Sequence, residues 1–98
     1  MTMWATNLDS IMGKVEAYRV ECGSESAVVI ARDELAARKI AQHDAFPEDH
    51  TDMMTAHVIV WSRDVVRFEG TDEDNRNEHD ACSKMLARQT CGFVAKIQ

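Results

Sequence analysis

The side chains of this chain that are best suited to metal chemistry are its four histidines and three cysteines. A tetrahedral zinc site needs four nitrogen or sulfur ligands, which usually come in closely spaced pairs. His79 and Cys82 form one such pair, and Cys91 follows further along the chain. No second pair is present, and Cys82 falls among apolar residues, where a thiol packs as a small hydrophobic side chain. The candidates for a fourth ligand are His43, His50 and His57, none of which is closely spaced with a cysteine. The sequence therefore predicts no metal site.

A second arrangement with potential for metal chemistry is the spacing Asp72-x-Asp74, which is also found at the start of calcium loops. An EF-hand loop needs an oxygen ligand at its fifth position, glycine at the sixth and glutamate at the twelfth. Arg76 and Asn77 occupy the fifth and sixth positions. The pattern therefore does not predict an EF-hand.

Motifs for covalent or acid–base catalysis are missing from the sequence. The two His-Asp pairs, at residues 43–44 and 79–80, are of a kind used in metal phosphohydrolases, but those enzymes need several further ligands. A serine flanked by glycines, a Cys–His pair with an orienting third group and a glycine-rich phosphate loop are all lacking. We therefore expect a protein that is not an enzyme and that needs no cofactor.

The negative charge of the chain is concentrated in two short stretches. Residues 44–52 contain four acids and no base, and residues 69–80 contain six acids and one base. The rest of the chain has seven acids and ten bases, so the two stretches account for the negative net charge of −6. Such a distribution concerns partners and solubility. It argues against direct binding to nucleic acid, whose phosphates attract Lys and Arg, and it favours a partner with a basic surface; the alternative is that the carboxylates only keep the protein soluble.

Size and composition indicate one soluble domain over residues 1–98. No apolar run approaches the roughly 18 residues that a membrane-spanning helix needs, so no membrane partner is expected. The odd number of cysteines, Cys22, Cys82 and Cys91, fits a reducing compartment better than a disulfide framework. We therefore expect a cytoplasmic protein.

The first half of the chain predicts two strands and a helix. Alternating and β-branched apolar residues favour strands over residues 15–22 and 27–31, and residues 7–12 show the spacing of a short helix. Asp33 is expected to cap a second helix that ends near Ala45 or Phe46, before Pro47. This helix is expected to bury a face of small side chains: Ala36, Ala37, Ile40 and Ala41.

The second half predicts two strands, a helix and a closing strand. Residues 55–61 form the clearest strand pattern, and residues 65–68 are expected to return beside it as a hairpin. Asn77 is the candidate N-cap of the next helix, and Gly92 is expected to end it. The closing strand follows over residues 93–97. The buried face of the helix is expected to comprise Ala81, Cys82, Met85 and Leu86.

This order predicts an α+β fold, namely a ferredoxin-like βαββαβ sandwich with an extra N-terminal strand at the edge of its sheet. Right-handed crossovers would place both helices on one face of the sheet. In that topology, residues 44–52 and 69–80 both lie at one end of the molecule and form an acidic end.

The second face of such a sheet would be left open. Val58 and Val60 are expected to face the helices, and His57, Ile59 and Trp61 the open side. An uncovered apolar face is a surface for a homodimer or another partner, and the alternative is that the N-terminal segment with Trp4 and Leu8 folds across it. The alternative function is therefore a dimeric ferredoxin-like small-molecule enzyme or ligand sensor that uses this face.

The run from Val28 to Ala41, in which a strand leads into a helix rich in Asp, Glu, Ala and Arg, resembles small acidic phage-encoded accessory proteins of the anti-CRISPR inhibitor type. The resemblance implies a binding protein from a phage or another mobile element. It would act in the bacterial cytoplasm on a CRISPR effector or another nucleic-acid-binding complex. The residues expected to contact a basic surface of that partner are Glu48, Asp49, Asp52, Asp72, Glu73 and Asp74.

Overall fold

A computed structural model describes residues 13–61 and 66–98 of the chain. The helix predicted over residues 7–12 lies outside the described residues. The elements follow one another as β1 (Glu16–Cys22), β2 (Glu25–Ala31), α1 (Glu34–Asp44), β3 (Met54–Ile59), α2 (Asp72–Arg88) and β4 (Gly92–Lys96), with a 3₁₀ turn at Thr51–Met53 before β3.

The four strands form one antiparallel sheet in the order β3-β1-β2-β4. Strands β2 and β3 therefore run parallel to each other with β1 between them, and α1 connects them across the sheet. The α+β class and the ferredoxin-like strand order with an additional strand are confirmed. The additional strand, β1, pairs with β2 as predicted, but it lies inside the sheet and not at its edge. An inner strand is covered on both faces, and β1 has apolar side chains on both. These are Ala17, Tyr18 and Val20, and all three are buried.

The two helices cover opposite faces of the sheet, so the prediction that both lie on one face is wrong. Tyr18, Val20 and Val29 pack with α1 on one face. Residues of the opposite parity, among them Val28 and Ile30, pack with α2 on the other face. Helix, sheet and helix are thus successive layers, and each face of the sheet has its own apolar core.

The position of Phe68 explains why α2 lies on the face of the sheet opposite α1. Phe68 bridges to Ile97 instead of pairing with β3, and the backbone N–H of Glu69 donates to the Lys96 carbonyl at 3.1 Å. The chain before α2 therefore runs antiparallel beside the end of β4. The rule of right-handed crossovers applies to connections between parallel strands. It does not constrain this connection, and α2 can cover the face that α1 leaves uncovered.

Both helices begin at capping side chains. Asp33 accepts a hydrogen bond from the Ala36 N–H at 2.7 Å, as its predicted role requires. Helix α2 begins earlier than predicted, because Thr71 is its N-cap and Asp74 completes a capping box. Asp72, Glu73 and Asp74 therefore lie in the first turn of a helix, where carboxylates interact favourably with the helix dipole.

The C-terminal end of α2 is also earlier than predicted. The helix ends at Arg88, and Gln89 adopts the left-handed conformation at φ 57°. The side-chain oxygen of Gln89 accepts from the Val15 N–H at 3.0 Å, which ties the helix end to the start of the sheet. Gly92 lies beyond this cap and begins β4.

Helix α1 packs against the sheet through its smallest side chains. Ala37 and Ala41 are completely buried, and Ala36 and Ile40 are partly buried beside them. The predicted buried face is confirmed. Small side chains at these positions let the helix backbone approach the sheet closely.

A larger side chain at the helix–sheet contact should destabilise the protein. We expect Ala41→Leu to lower the free energy of unfolding by about 1–3 kcal/mol, because overpacking a filled core displaces its neighbours. Urea denaturation measures the change. The matched control is Ala87→Leu at an exposed position of α2, where a change within about 0.5 kcal/mol is expected. Equal losses in the two variants would contradict this account of the α1 packing.

Candidate functional site

The first acidic stretch lies at the end of the sheet where β1 and β2 form their hairpin. Residues 44–52 connect α1 to β3, and Met54 at the start of β3 pairs with Cys22 at the end of β1. Cys22 in turn pairs with Glu25 across the hairpin. The connection between α1 and β3 is therefore held at this hairpin end.

The second acidic stretch starts at the same end of the sheet. Glu69 is hydrogen-bonded to Lys96, and the next residue, Ile97, donates its N–H to the Ser26 carbonyl at 2.9 Å. Ser26 belongs to the β1–β2 hairpin end of β2. Helix α2 starts here and leads away along the sheet, so residues 69–74 lie at this end and residues 78–80 lie further down the helix.

Carboxylates from both stretches line one open groove of about 440 Å³ along β4. Asp44 stands at the end of α1, Glu69 precedes α2, and Asp74 and Glu78 are one turn apart on α2. The floor of the groove is formed by β4 residues: Phe93, Val94, Ala95 and Lys96. We call this feature the β4 groove.

The β4 groove carries an excess of negative charge. Lys96 is the basic residue among those that line it. Its Nζ lies 3.2 Å from a Glu25 carboxylate oxygen and 5.4 Å from the centre of the Phe46 ring. Because Lys96 is already paired with Glu25, the four carboxylates around the groove are not neutralised by it. Like charges gathered around a concave surface attract positively charged groups.

Two of the residues predicted to contact a partner have structural roles in α2. Asp72 forms an ion pair with Arg67 at 2.6 Å. The Asp74 carboxylate accepts a hydrogen bond from the Thr71 backbone N–H at 2.9 Å, and the Asp74 backbone N–H donates to the Thr71 hydroxyl at 3.1 Å. The backbone hydrogen bond from Thr71 lowers the pKa of Asp74 below its ordinary value, and the side-chain hydrogen bond acts in the same direction. Glu73, between them, is exposed.

The other predicted contacts, Glu48, Asp49 and Asp52, are exposed in the connection between α1 and β3. They do not line the β4 groove but lie at the same end of the sheet. Burial, and then a hydrogen bond to the Asp49 carboxylate, raise the pKa of the Cys22 thiol.

Three groove residues, Asp44, Glu69 and Glu78, are absent from the predicted contacts, although they belong to the two acidic stretches. The charge count contained this signal, since it included all three. The charge count does not show which of these carboxylates face the groove, because that depends on the position of β4 relative to the two helices.

The predicted open face is covered by α2, which corrects the assignment of Ile59 and Trp61 as open contacts. Ile59 is buried. The Trp61 ring lies 6.3 Å from the Phe68 ring and 5.1 Å from the His79 ring, and its Nε1–H donates to Ser83 at 3.3 Å. His57 is the exposed member of the predicted set, with its Nε2 3.6 Å from a Glu21 carboxylate oxygen.

The prediction that Val58 and Val60 face the helices is also wrong. Their exposed fractions are 46% and 45%. Helix α1 packs over Met54 and Ala56 at the start of β3. The end of β3 is left at the surface as a result.

The candidate metal ligands do not form a metal site in the described part of the chain. Among residues 13–61 and 66–98, no group of three or more His, Cys, Asp or Glu side chains is arranged to hold a metal ion. His79 belongs to α2, and its Nε2 lies 2.7 Å from the Val66 carbonyl. Cys82 is completely buried, and burial raises the pKa of its thiol to about 12.

Within the described part of the chain, no helix is long and apolar enough to cross a membrane. Comparison of the chain with protein-family models, curated protein sequences and solved structures returned no significant match. The function is therefore inferred from the residues of the β4 groove and their surroundings.

The cap of α2 should give the protein a specific acid sensitivity. Because the pKa of Asp74 is lowered in the folded state, its ionised carboxylate stabilises the protein at neutral pH. This contribution is lost as the pH falls below 3.8 and through the folded-state pKa. We expect the stability difference between the wild type and Asp74→Asn to shrink over that range in urea denaturation. Asp80→Asn, on the same helix but outside the cap, is the matched control. An equal or larger pH dependence in the control would contradict the prediction.

The three cysteines should differ in their reactivity. Cys91 is exposed, whereas Cys22 and Cys82 are buried. Since the thiolate is the reactive form, burial and a raised pKa both slow alkylation. We expect iodoacetamide to modify Cys91 in the folded protein and to modify the other two only in urea, as measured by mass spectrometry of tryptic peptides. Modification of Cys82 in the folded protein at the rate of Cys91 would show that the packing of α2 against the sheet does not protect it.

Proposed function

We propose that this chain is a non-enzymatic binding protein that docks its acidic end on a basic protein surface. The observation that supports this most directly is the meeting of both acidic stretches at the β4 groove. Asp44 comes from the first stretch, and Glu69, Asp74 and Glu78 come from the second. Residues distant in sequence thus contribute the same charge to one concave surface.

The partner that fits such a surface is a protein with a groove built to bind phosphates. Lys and Arg in such a groove attract nucleic acid, and carboxylates held on a folded domain offer negative charge to the same residues. A binding protein of this kind would inhibit its partner by occupying the nucleic-acid site. Complementary charge speeds the encounter and orients the two surfaces.

The resemblance to phage-encoded inhibitors of the anti-CRISPR type gives this proposal a specific partner class. The partner would be a CRISPR effector or another nucleic-acid-handling complex in the bacterial cytoplasm, and the gene would belong to a phage or another mobile element. The exposed Glu48, Asp49, Asp52 and Glu73 would extend the acidic surface beyond the groove. Asp72 would contribute less, because Arg67 already neutralises it.

The alternative, a dimeric small-molecule enzyme or ligand sensor, loses its main support. It depends on an open apolar sheet face that includes Ile59 and Trp61. Ile59 is buried, and Trp61 is partly covered by α2. His57 and Glu21 remain accessible on that face, but they make a polar surface.

The test is affinity capture from a bacterial lysate with three forms of the protein. The first is the wild type, and the second reverses three groove charges: Asp44→Lys, Glu69→Lys and Glu78→Lys. The third is a matched control that reverses three exposed acids outside the groove: Glu16→Lys, Glu34→Lys and Asp80→Lys. Both variants have the same net charge, so a difference between them reports the position of the charges.

We expect the wild type and the matched control to retain a nucleic-acid-binding complex that the groove variant does not retain. Salt and added DNA or RNA should release the complex, because screening weakens contacts between exposed charges and nucleic acid competes for the same basic residues. The purified partner should then lose nucleic-acid binding when the wild-type protein is added. Retention of the same complex by the groove variant, or insensitivity to salt and nucleic acid, would contradict the proposal.

A further inference from the structure

We propose that the β4 groove binds an extended segment of the partner, rich in Lys and Arg, as an additional strand against the outer edge of β4. This inference rests on the proposed function, because it names the form in which the basic surface is recognised. It is carried by two features that coincide in space: a sheet edge and carboxylates on both sides of that edge.

The outer edge of β4 offers backbone hydrogen-bonding groups. Strand β4 is the last strand of the sheet and pairs with β2 on its inner side. On its outer side, residues 67–69 pair with residues 96–98 through the Phe68–Ile97 bridge. Within the described structure, no strand lies beside the outer edge of residues 92–95. An exposed strand edge accepts an extended peptide through main-chain hydrogen bonds.

The carboxylates of the groove lie on both sides of this edge. Asp44 belongs to α1, which covers one face of the sheet, and Asp74 and Glu78 belong to α2, which covers the other. Successive side chains of an extended segment point to opposite faces of a sheet. Two adjacent basic residues on an added strand would therefore reach Asp44 on one side and Glu78 on the other.

The same charges decide which kind of segment fits. The edge strand of a second copy of this chain would bring its own Asp44 and Glu78 against those of the first, and like charges across a strand pair are destabilising. An apolar segment would reduce the solvation of the carboxylates without pairing them. A segment with adjacent Lys and Arg residues pairs them on both faces, so the groove selects for basic strands and against self-association.

The pairing of β4 also limits the length of the added strand. The register between β2 and β4 shifts between Val28 and Val29, which marks an irregularity in β4. Such bulges twist an edge and shorten the regular part that a partner can use. The added strand is therefore short, and its affinity depends on ion pairs as well as on backbone hydrogen bonds.

The experiment uses the full chain and synthetic peptides measured by fluorescence anisotropy. The probe is a labelled, eight-residue peptide in which Lys-Arg pairs are separated by single Val residues. Two further peptides have the same sequence but carry backbone N-methyl groups on alternate residues, in one register or the other. N-methylation removes the N–H donors from one edge of a strand and leaves every side-chain charge in place.

We expect the unmodified peptide to bind and one of the two N-methylated peptides to bind at least about tenfold more weakly, which corresponds to about 1.4 kcal/mol. The other register should retain most of the affinity, because its methyl groups point away from β4. Binding of the unmodified peptide should slow the hydrogen exchange of amides in β4, measured by NMR. Equal affinity of all three peptides would overturn strand addition and leave docking by charge intact.

Variants of the chain separate the groove from the rest of the acidic surface. Glu78→Lys and Asp44→Lys should each weaken binding of the unmodified peptide, and Asp80→Lys on the same helix as Glu78 should change it much less. Circular dichroism of each variant checks that it is folded. If no peptide binds, strand addition is wrong, whereas the proposed function is decided separately by the capture experiment.

Discussion

The antiparallel pairing of residues 67–69 with residues 96–98 is the constraint on which the candidate site depends. The Phe68–Ile97 bridge holds the chain beside the end of β4 immediately before α2 begins. Phe68 is completely buried there, so this anchor is apolar as well as hydrogen-bonded. Because α2 starts from this point, its first turns lie at the same end of the sheet as the end of α1 but on the opposite face, and residues of both acidic stretches line one groove beside β4. A hairpin of the same residues with β3 would place them at the other edge of the sheet.

The carboxylates at this end of the molecule differ in their contacts, and Asp74 both caps α2 and lines the groove. Asp74 caps α2 and Asp72 is paired with Arg67, so both stabilise the start of the helix that forms one wall of the groove. Asp44, Glu69 and Glu78 line the groove without an ion pair to Lys or Arg in the described structure. The acidic composition of residues 69–80 therefore serves the helix and the surface together. Carboxylates favour the N-terminal turn of a helix, and Glu69 and Glu78, before and after that turn, line the groove.

Caps, buried helix faces and hairpins are predictable from the sequence where they depend on residues close together in the chain. The cap at Asp33 and the buried face of Ala37 and Ala41 follow from short-range spacing, and both are present. The β1–β2 hairpin is predictable for the same reason. The start of α2 at Thr71 does not follow from the sequence alone, because a run of acidic residues is equally compatible with a solvated loop. The pairing of Phe68 with Ile97 does not follow from local sequence either, because strand pairing depends on contacts between residues far apart in the chain.

The sequence by itself determined the α+β class, the existence of most elements and the concentration of negative charge in two stretches, since these depend on composition and local periodicity. Only the tertiary structure decided which strands are neighbours, which face each helix covers and which carboxylates share a groove. Position in the sheet is set by the burial of apolar side chains from both halves of the chain at once. Asp44 and Glu78 therefore become neighbours of the same strand edge only when α1, β4 and α2 have packed together.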